Sequence, residues 1–91
     1  MYYVYVLFSY KDKKLYYGFT TNLKRRIEQH NLGLTKSTKG RRPLKLIYWE
    51  NYLLREDAEL REKYLKTSMG GRVIKKQLTN ILGKLLKNRI A

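Results

Sequence analysis

The chain has 91 residues, with 21 Lys plus Arg against 7 Asp plus Glu, a formal net charge of +14 and no cysteine. A chain of this length makes one domain with a small core. The missing cysteines exclude disulfides and thiolate metal sites, and no apolar run approaches the ~20 residues of a membrane span.

The opening, MYYVYVLFSY, carries no basic n-region and no small-residue cleavage site, so a secretory signal is not expected and a cytoplasmic location is. Residues 2–8 are β-branched and aromatic, which predicts a buried strand. Lys11 to Lys14 form a polar turn, and Leu15 to Phe19 a second short strand, giving a hairpin. Setting Tyr5 opposite Tyr16 puts Tyr3 opposite Gly18 and Leu7 opposite Lys14, with Tyr5 and Tyr16 on one face. Thr20 or Thr21 can cap a helix that begins at Asn22. Along it Leu23, Ile27 and His30 form an apolar stripe, with Arg26 one turn from His30.

Asn31 to Pro43 read as a loop punctuated by Gly33, Gly40 and Pro43. Leu44 to Tyr52 predict a third strand, with Ile47 and Trp49 on one face and Leu46 and Tyr48 on the other. Leu54 to Lys66 predict a helix of alternating charge, with Leu54, Ala58 and Leu65 on its apolar side and Gly70-Gly71 breaking it. Residues 72–89 carry Ile74, Leu78, Ile81, Leu82, Leu85 and Leu86 at helical spacing, with Gly83 as a point of kinking or splitting. The order β-β-α-β-α-α predicts a single α+β domain over residues 1–91: a three-stranded antiparallel sheet flanked by helices.

The charge is segregated. Every acid lies at or before Glu62, and eight basic residues follow it. Lys36, Lys39, Arg41, Arg42 and Lys45 form a second stretch without an acid. Such a surface points to nucleic acid as the partner class, with an anionic membrane or an acidic protein as the bland rival.

The residues Tyr3-Val4-Tyr5 and Tyr16-Tyr17-Gly18, followed by Asn22-Leu23, Arg26 and His30-Asn31, together resemble the signature of the GIY-YIG nuclease superfamily. The stretch Thr35 to Tyr48 is similar to the loop and third strand of its small standalone members. Ala58 to Glu62 with Leu65-Lys66 look like the helix that carries the family's metal-binding Glu. The resemblance covers about residues 2–66 and extends to the N-terminal nuclease domain of the ABC excinuclease. It implies a metal-dependent DNA endonuclease using one divalent ion, Mg²⁺ or Mn²⁺. Tyr5 would be the base that helps deprotonate the attacking water, and Tyr16 would assist it. Arg26 would hold the scissile phosphate, Glu62 would bind the metal, Gly18 would allow a close backbone approach, and His30 would belong to the catalytic set. An expected location with the nucleoid follows from a DNA substrate.

The same residues have plainer readings: sheet aromatics for Tyr5 and Tyr16, a packed or capping histidine for His30, and a salt-bridge partner of Arg55 or Lys66 for Glu62. Tyr has a reference pKa of about 10, so it is a poor base unless cations surround it. The sequence departs from the family pattern at Tyr3, where the first tripeptide carries Gly, and at Tyr17, where the second carries Ile. Several family nucleases also carry an Asn twelve or more residues beyond the metal Glu. Here Ile74 stands at that spacing, and Asn80 is the nearest Asn. Lys36, Lys39, Arg41, Arg42, Lys75 and Lys76 are the expected DNA-binding residues. The alternative function is a nucleic-acid-binding protein on a nuclease fold that does not cut; a third class is a basic ribosome- or RNA-associated structural protein, and the partner is DNA or RNA. The C-terminal segment has three readings: a covering helix, an added DNA-binding element using Arg72, Lys75, Lys76, Lys84, Lys87 and Arg89, or a dimerising helix.

Overall fold

The computed structural model describes residues 1–88, so the expected contact of Arg89 lies outside the described residues. The elements are β1 (Tyr2–Ser9), β2 (Leu15–Thr20), α1 (Leu23–Asn31), a 3-10 turn (Lys39–Arg41), β3 (Leu44–Tyr52), α2 (Arg55–Leu65), α3 (Ser68–Gln77) and α4 (Thr79–Asn88). The sheet is antiparallel in the order β2-β1-β3. This is the expected α+β architecture, with one more helix than the sequence predicts. No helix of the described residues is long and apolar enough to cross a membrane.

The sheet is the middle layer, and both its faces are covered. Val4 and Val6 pack with Ala58 and Leu65 of α2 and Ile74 of α3, while Tyr5 and Leu7 pack with Leu23 and Ile27 of α1. β1 is therefore central and buried on both sides, which is why residues 2–8 are apolar without a period of two. A carboxylate fastens α2 to β3: Arg61 donates to both Glu50 oxygens at 3.0 Å, and the Tyr48 and Tyr52 hydroxyls donate to the same group.

The hairpin register differs from the expected one by two residues. Tyr5 stands opposite Gly18, Tyr3 opposite Thr20 and Leu7 opposite Tyr16. The cause is the turn. Ser9 Oγ accepts from the Lys11 and Asp12 amides, Asp12 Oδ1 accepts from the Lys14 amide, and Lys13 takes a positive φ of 63°. These local bonds build a longer connection than the one assumed. A slip of two preserves faces, so Tyr5 and Tyr16 still share one, now diagonally.

β3 has the expected bounds but not the expected faces. Val6 pairs with Tyr48 and Leu7 with Leu46, so Ile47 is the extra residue of a bulge. Ile47 and Tyr48 consequently both join the α2–α3 core, whereas Trp49, opposite Tyr5, is half-exposed. Alternation read from sequence cannot register a bulge.

Helix boundaries move for capping reasons. Asn22, rather than Thr20 or Thr21, caps α1 by accepting from the Arg25 amide at 3.1 Å. Leu54 is the exposed N-cap of α2, not part of its buried side. The helix ends at Leu65, before the two glycines, and Thr67 caps α3 through the Gly70 amide at 3.0 Å. Gly70 lies inside α3 because a Cβ there would run into the Tyr64 carbonyl, so the glycine serves close helix packing rather than a break. The second split falls at Leu78, where the Thr79 hydroxyl donates to the Lys76 carbonyl, and not at Gly83. Ile74 buries in the main core and Leu85 is also buried, while Leu86 is exposed.

Candidate active site

The expected site residues converge beside β1. Tyr5 is almost wholly buried, and its ring lies over the Cα of Gly18. A Cβ at position 18 would occupy the space of the Tyr5 ring and hydroxyl, so glycine is required by that contact. The Tyr5 hydroxyl is 2.7 Å from His30 Nε2, and His30 Nδ1 is 2.6 Å from Thr38 Oγ1. Tyr5, Tyr16 and His30 form one aromatic triangle: ring centroids are 6.4 Å apart for Tyr5–Tyr16, 5.7 Å for Tyr5–His30 and 5.2 Å for Tyr16–His30. Ser37 donates to the Tyr16 hydroxyl at 3.3 Å. Asn31 closes α1 onto β3 by bonding both the amide and the carbonyl of Leu44 at 3.0 Å. That pin and the α1 stripe fix where His30 points.

The electrostatics separate these groups. Burial pushes the Tyr5 hydroxyl up to about 12, against the pull of the Arg26 guanidinium that faces it. Tyr16 and Glu62 act on the same hydroxyl in the upward direction. Burial, helped by the Arg26 charge, holds His30 down at about 4, so its ring is neutral at pH 7. His30 is fully buried. It touches Tyr5, Tyr16 and Thr38.

The depressed His30 pKa has a stability consequence. A buried neutral histidine stabilises the fold above its unfolded pKa and loses that contribution as pH falls toward its folded one. The window for His30 runs from about 6.5 down to about 4, and the full effect is about 3 kcal/mol. Asp12, which Arg41 holds at about 2, titrates below it. Urea midpoints measured between pH 6.5 and 4.5 should therefore fall, and His30→Gln should flatten the fall. A parent midpoint that does not move would mean that His30 charges freely.

Arg26 bonds Gln29 at 3.3 Å and lines a groove of about 360 Å³ with Thr20, Thr21, Asn22, Arg25, Gln29, Phe19 and Arg55. Its charged lining residues are three arginines and no acid. Arg55 also lies over the Phe19 ring, 5.4 Å from its centroid. In the sequence Arg25 stands out only as one more helix charge, Arg55 only as a salt-bridge candidate for Glu62, and Ser37 and Thr38 only within the Thr35–Tyr48 stretch. Their places at the site are set by tertiary packing.

The charged residues of α2 resolve into separate pairs. Glu62 is half-buried and bonded to Lys66 at 3.2 Å, whereas Glu59 is exposed and 3.7 Å from Arg55. Among the described residues no group of three or more His, Cys, Asp or Glu could hold a metal ion. Glu62 alone, beside Tyr5 and with a single pairing cation, fits a hydrated divalent ion held by one carboxylate, a mode that Mg²⁺ tolerates because it keeps several waters.

The expected DNA-binding residues differ in availability. Lys36, Lys39, Lys75 and Lys76 are exposed. Arg41 is held by Asp12 at 2.6 Å and donates to the Leu15 carbonyl, and Arg42 donates to the Lys39 carbonyl. Asn80 sits on α4 in a shallow groove with Thr79, Gly83, Lys84 and Lys87, a lining that includes none of the residues around Tyr5.

The profile of the GIY-YIG catalytic domain matches residues 1–71. The chain belongs to the GIY-YIG family. This is the family of the tyrosine tripeptides seen on the hairpin, and it is a nuclease family whose members generally use a divalent metal and act on nucleic acid. Among similar GIY-YIG chains, a UPF0213 protein of Clostridium perfringens is 48% identical over 67 residues, covering 72% of this chain and 71% of that one. A UPF0213 protein of Staphylococcus haemolyticus is 46% identical over 66 residues, covering 71% of this chain and 79% of that one. The solution NMR structure of a UPF0213 protein from Bacillus halodurans superposes with a TM-score of 0.52 at 37% identity, covering 89% of this chain and 85% of that one. The chain is thus similar to small standalone members, as expected from the sequence.

Proposed function

We propose that this protein is a metal-dependent endonuclease that hydrolyses phosphodiester bonds in DNA. The observation that carries the reading is the convergence of Tyr5, Tyr16, Arg26 and Glu62 beside a groove whose charges are all arginine. In this reading the backbone lies along the groove, with Arg25 and Arg55 holding flanking phosphates. Arg26 belongs to both groove and tyrosine cluster, so it holds the scissile phosphate where negative charge grows. Tyr5, once deprotonated, takes a proton from the attacking water, and Tyr16 orients that water. Glu62 would hold a Mg²⁺ or Mn²⁺ ion, which would supply charge neutralisation and a Lewis acid at the phosphate. His30 and Gly18 position Tyr5. A cytoplasmic, nucleoid-associated location goes with such a substrate.

The direct test incubates the protein with labelled duplex, single-stranded and branched DNA, with Mg²⁺ or with chelator. Cleavage that requires the metal is expected. Binding without cleavage of any substrate would instead make the chain a nucleic-acid-binding protein on a nuclease fold.

The basic surface makes a separate prediction. Alanine at Arg25, Lys36 or Lys39 should weaken duplex binding regardless of sequence and lower the slope of log K against log salt by about 0.9 per lost phosphate contact. Arg41→Ala should act instead through the hairpin turn, because Asp12 already holds that side chain. An unchanged slope in the triple variant would mean that these residues face away from the substrate.

A further inference from the structure

We propose that Thr38 is a positioning residue: it sets the tautomer of His30 so that Nε2–H donates to the Tyr5 oxygen, leaving the Tyr5 proton directed into the site. The role for Tyr5 rests on the proposed hydrolysis; the tautomer does not.

The hydrogens of this chain of groups decide its direction. Tyr5, neutral His30 and Thr38 bring three hydrogens, one each, to a chain with two links, of 2.7 and 2.6 Å. One hydrogen must fall at an end. If Tyr5 donates to Nε2, then Nδ1–H donates to Thr38 and the hydroxyl hydrogen of Thr38 is left over. Thr38 is fully buried, and among the described residues His30 is the only hydrogen-bond partner of its hydroxyl. Leaving a hydroxyl hydrogen buried and unpaired costs about 1–3 kcal/mol. In the opposite direction Thr38 donates to Nδ1, Nε2–H donates to Tyr5, and the leftover hydrogen is that of Tyr5. That end of the chain lies among the polar groups of Tyr16, Arg26 and Glu62, all of which act on the Tyr5 hydroxyl, whereas among the described residues the Thr38 hydroxyl has no hydrogen-bond partner but His30.

The local fold leaves this hydroxyl to His30. Thr38 occupies the N-cap position of the 3-10 turn, where a threonine hydroxyl ordinarily accepts from the turn's amides, yet it makes no cap bond. Its backbone is already fixed, with the amide donating to Thr35 and the carbonyl accepting from Arg41. The hydroxyl is therefore free for His30 alone. The chemical consequence lies at Tyr5. When its proton leaves to solvent, the phenolate oxygen keeps an N–H donor. In the other tautomer it would face a nitrogen lone pair.

His30 is the only histidine of the chain, so ¹⁵N NMR of histidine-labelled protein reads one imidazole without assignment. The parent at pH 7 should show Nε2 protonated and Nδ1 bare; a protonated Nδ1 overturns the proposal. Thr38→Val, close to isosteric, should mix the tautomers and slow single-turnover cleavage about ten-fold, the equivalent of one hydrogen bond. Thr38→Ser should restore both. A Thr38→Val protein with the pure parent tautomer and the parent rate would remove Thr38 from the role. If the parent cuts nothing, the proposed hydrolysis fails, while the NMR signals still decide the tautomer.

Discussion

Glu62→Gln is expected to abolish metal-dependent cleavage while folding and DNA binding persist. The amide keeps the volume of the carboxylate and removes its charge, and a site with one protein ligand has no other carboxylate to compensate. The structural cost is small. Glu62 pairs with Lys66 one turn along α2 at 3.2 Å, and such helix-surface pairs contribute about 0.3–0.5 kcal/mol. Glu59→Gln is the matched control, since Glu59 stands on the same helix, paired with Arg55 and exposed. Cleavage measured across a Mg²⁺ titration separates weak metal binding from lost chemistry. The assignment fails if Glu62→Gln reaches the parent rate at saturating metal, or if Glu59→Gln is equally dead.

Legibility of the sequence followed the range of the physics involved. Strand bounds and the β-β-α-β-α order could be read because residues 2–8, 15–19 and 44–52 have strong local composition, and because His30 and Ile27 share a helical stripe. The face shared by Tyr5 and Tyr16 could also be read, since a register error of two leaves parity unchanged. Part of what escaped was local turn and cap bonding, which set the hairpin register and the helix bounds, and part was set by contacts between elements. The bulge at Ile47 is a relation between two strands. Gly70 looked like a helix breaker because its reason for being glycine, the Tyr64 carbonyl, belongs to the preceding helix. In the candidate site, Tyr5, Arg26, His30 and Glu62 were legible only as an ordered pattern. Thr38 and Arg55 were not legible, because a loop and a helix start bring them in. By sequence alone, Arg26 and a bound metal are expected to supply the cations that make Tyr5 a better base. In the folded chain burial outweighs Arg26 and raises the hydroxyl, so the proposed hydrolysis would draw on the metal's charge or on a further donor at the Tyr5 oxygen.

Tyr5→Phe and Arg26→Ala should each lower the single-turnover cleavage rate by about 10²–10³-fold, the usual worth of a positioned base or charge stabiliser. The two act by different routes. Phe keeps the ring that fills the space over Gly18 and removes only the hydroxyl, but His30 Nε2 then loses its 2.7 Å partner in a buried place. Some destabilisation is therefore expected, about 1–3 kcal/mol, within the margin of an ordinary domain. Arg26 is half-buried and bonds Gln29 at 3.3 Å, a long contact, so alanine there should cost little stability. It removes a planar fork that no nearby Lys reproduces in geometry. Arg25→Ala, next to it in the same groove, should raise the protein concentration needed for binding and leave the saturated rate near that of the parent. Urea midpoints establish which variants are folded, and saturating protein isolates chemistry from binding. If folded Tyr5→Phe cuts at the parent rate under saturation, Tyr5 is a packing residue. The hairpin then contributes shape rather than chemistry.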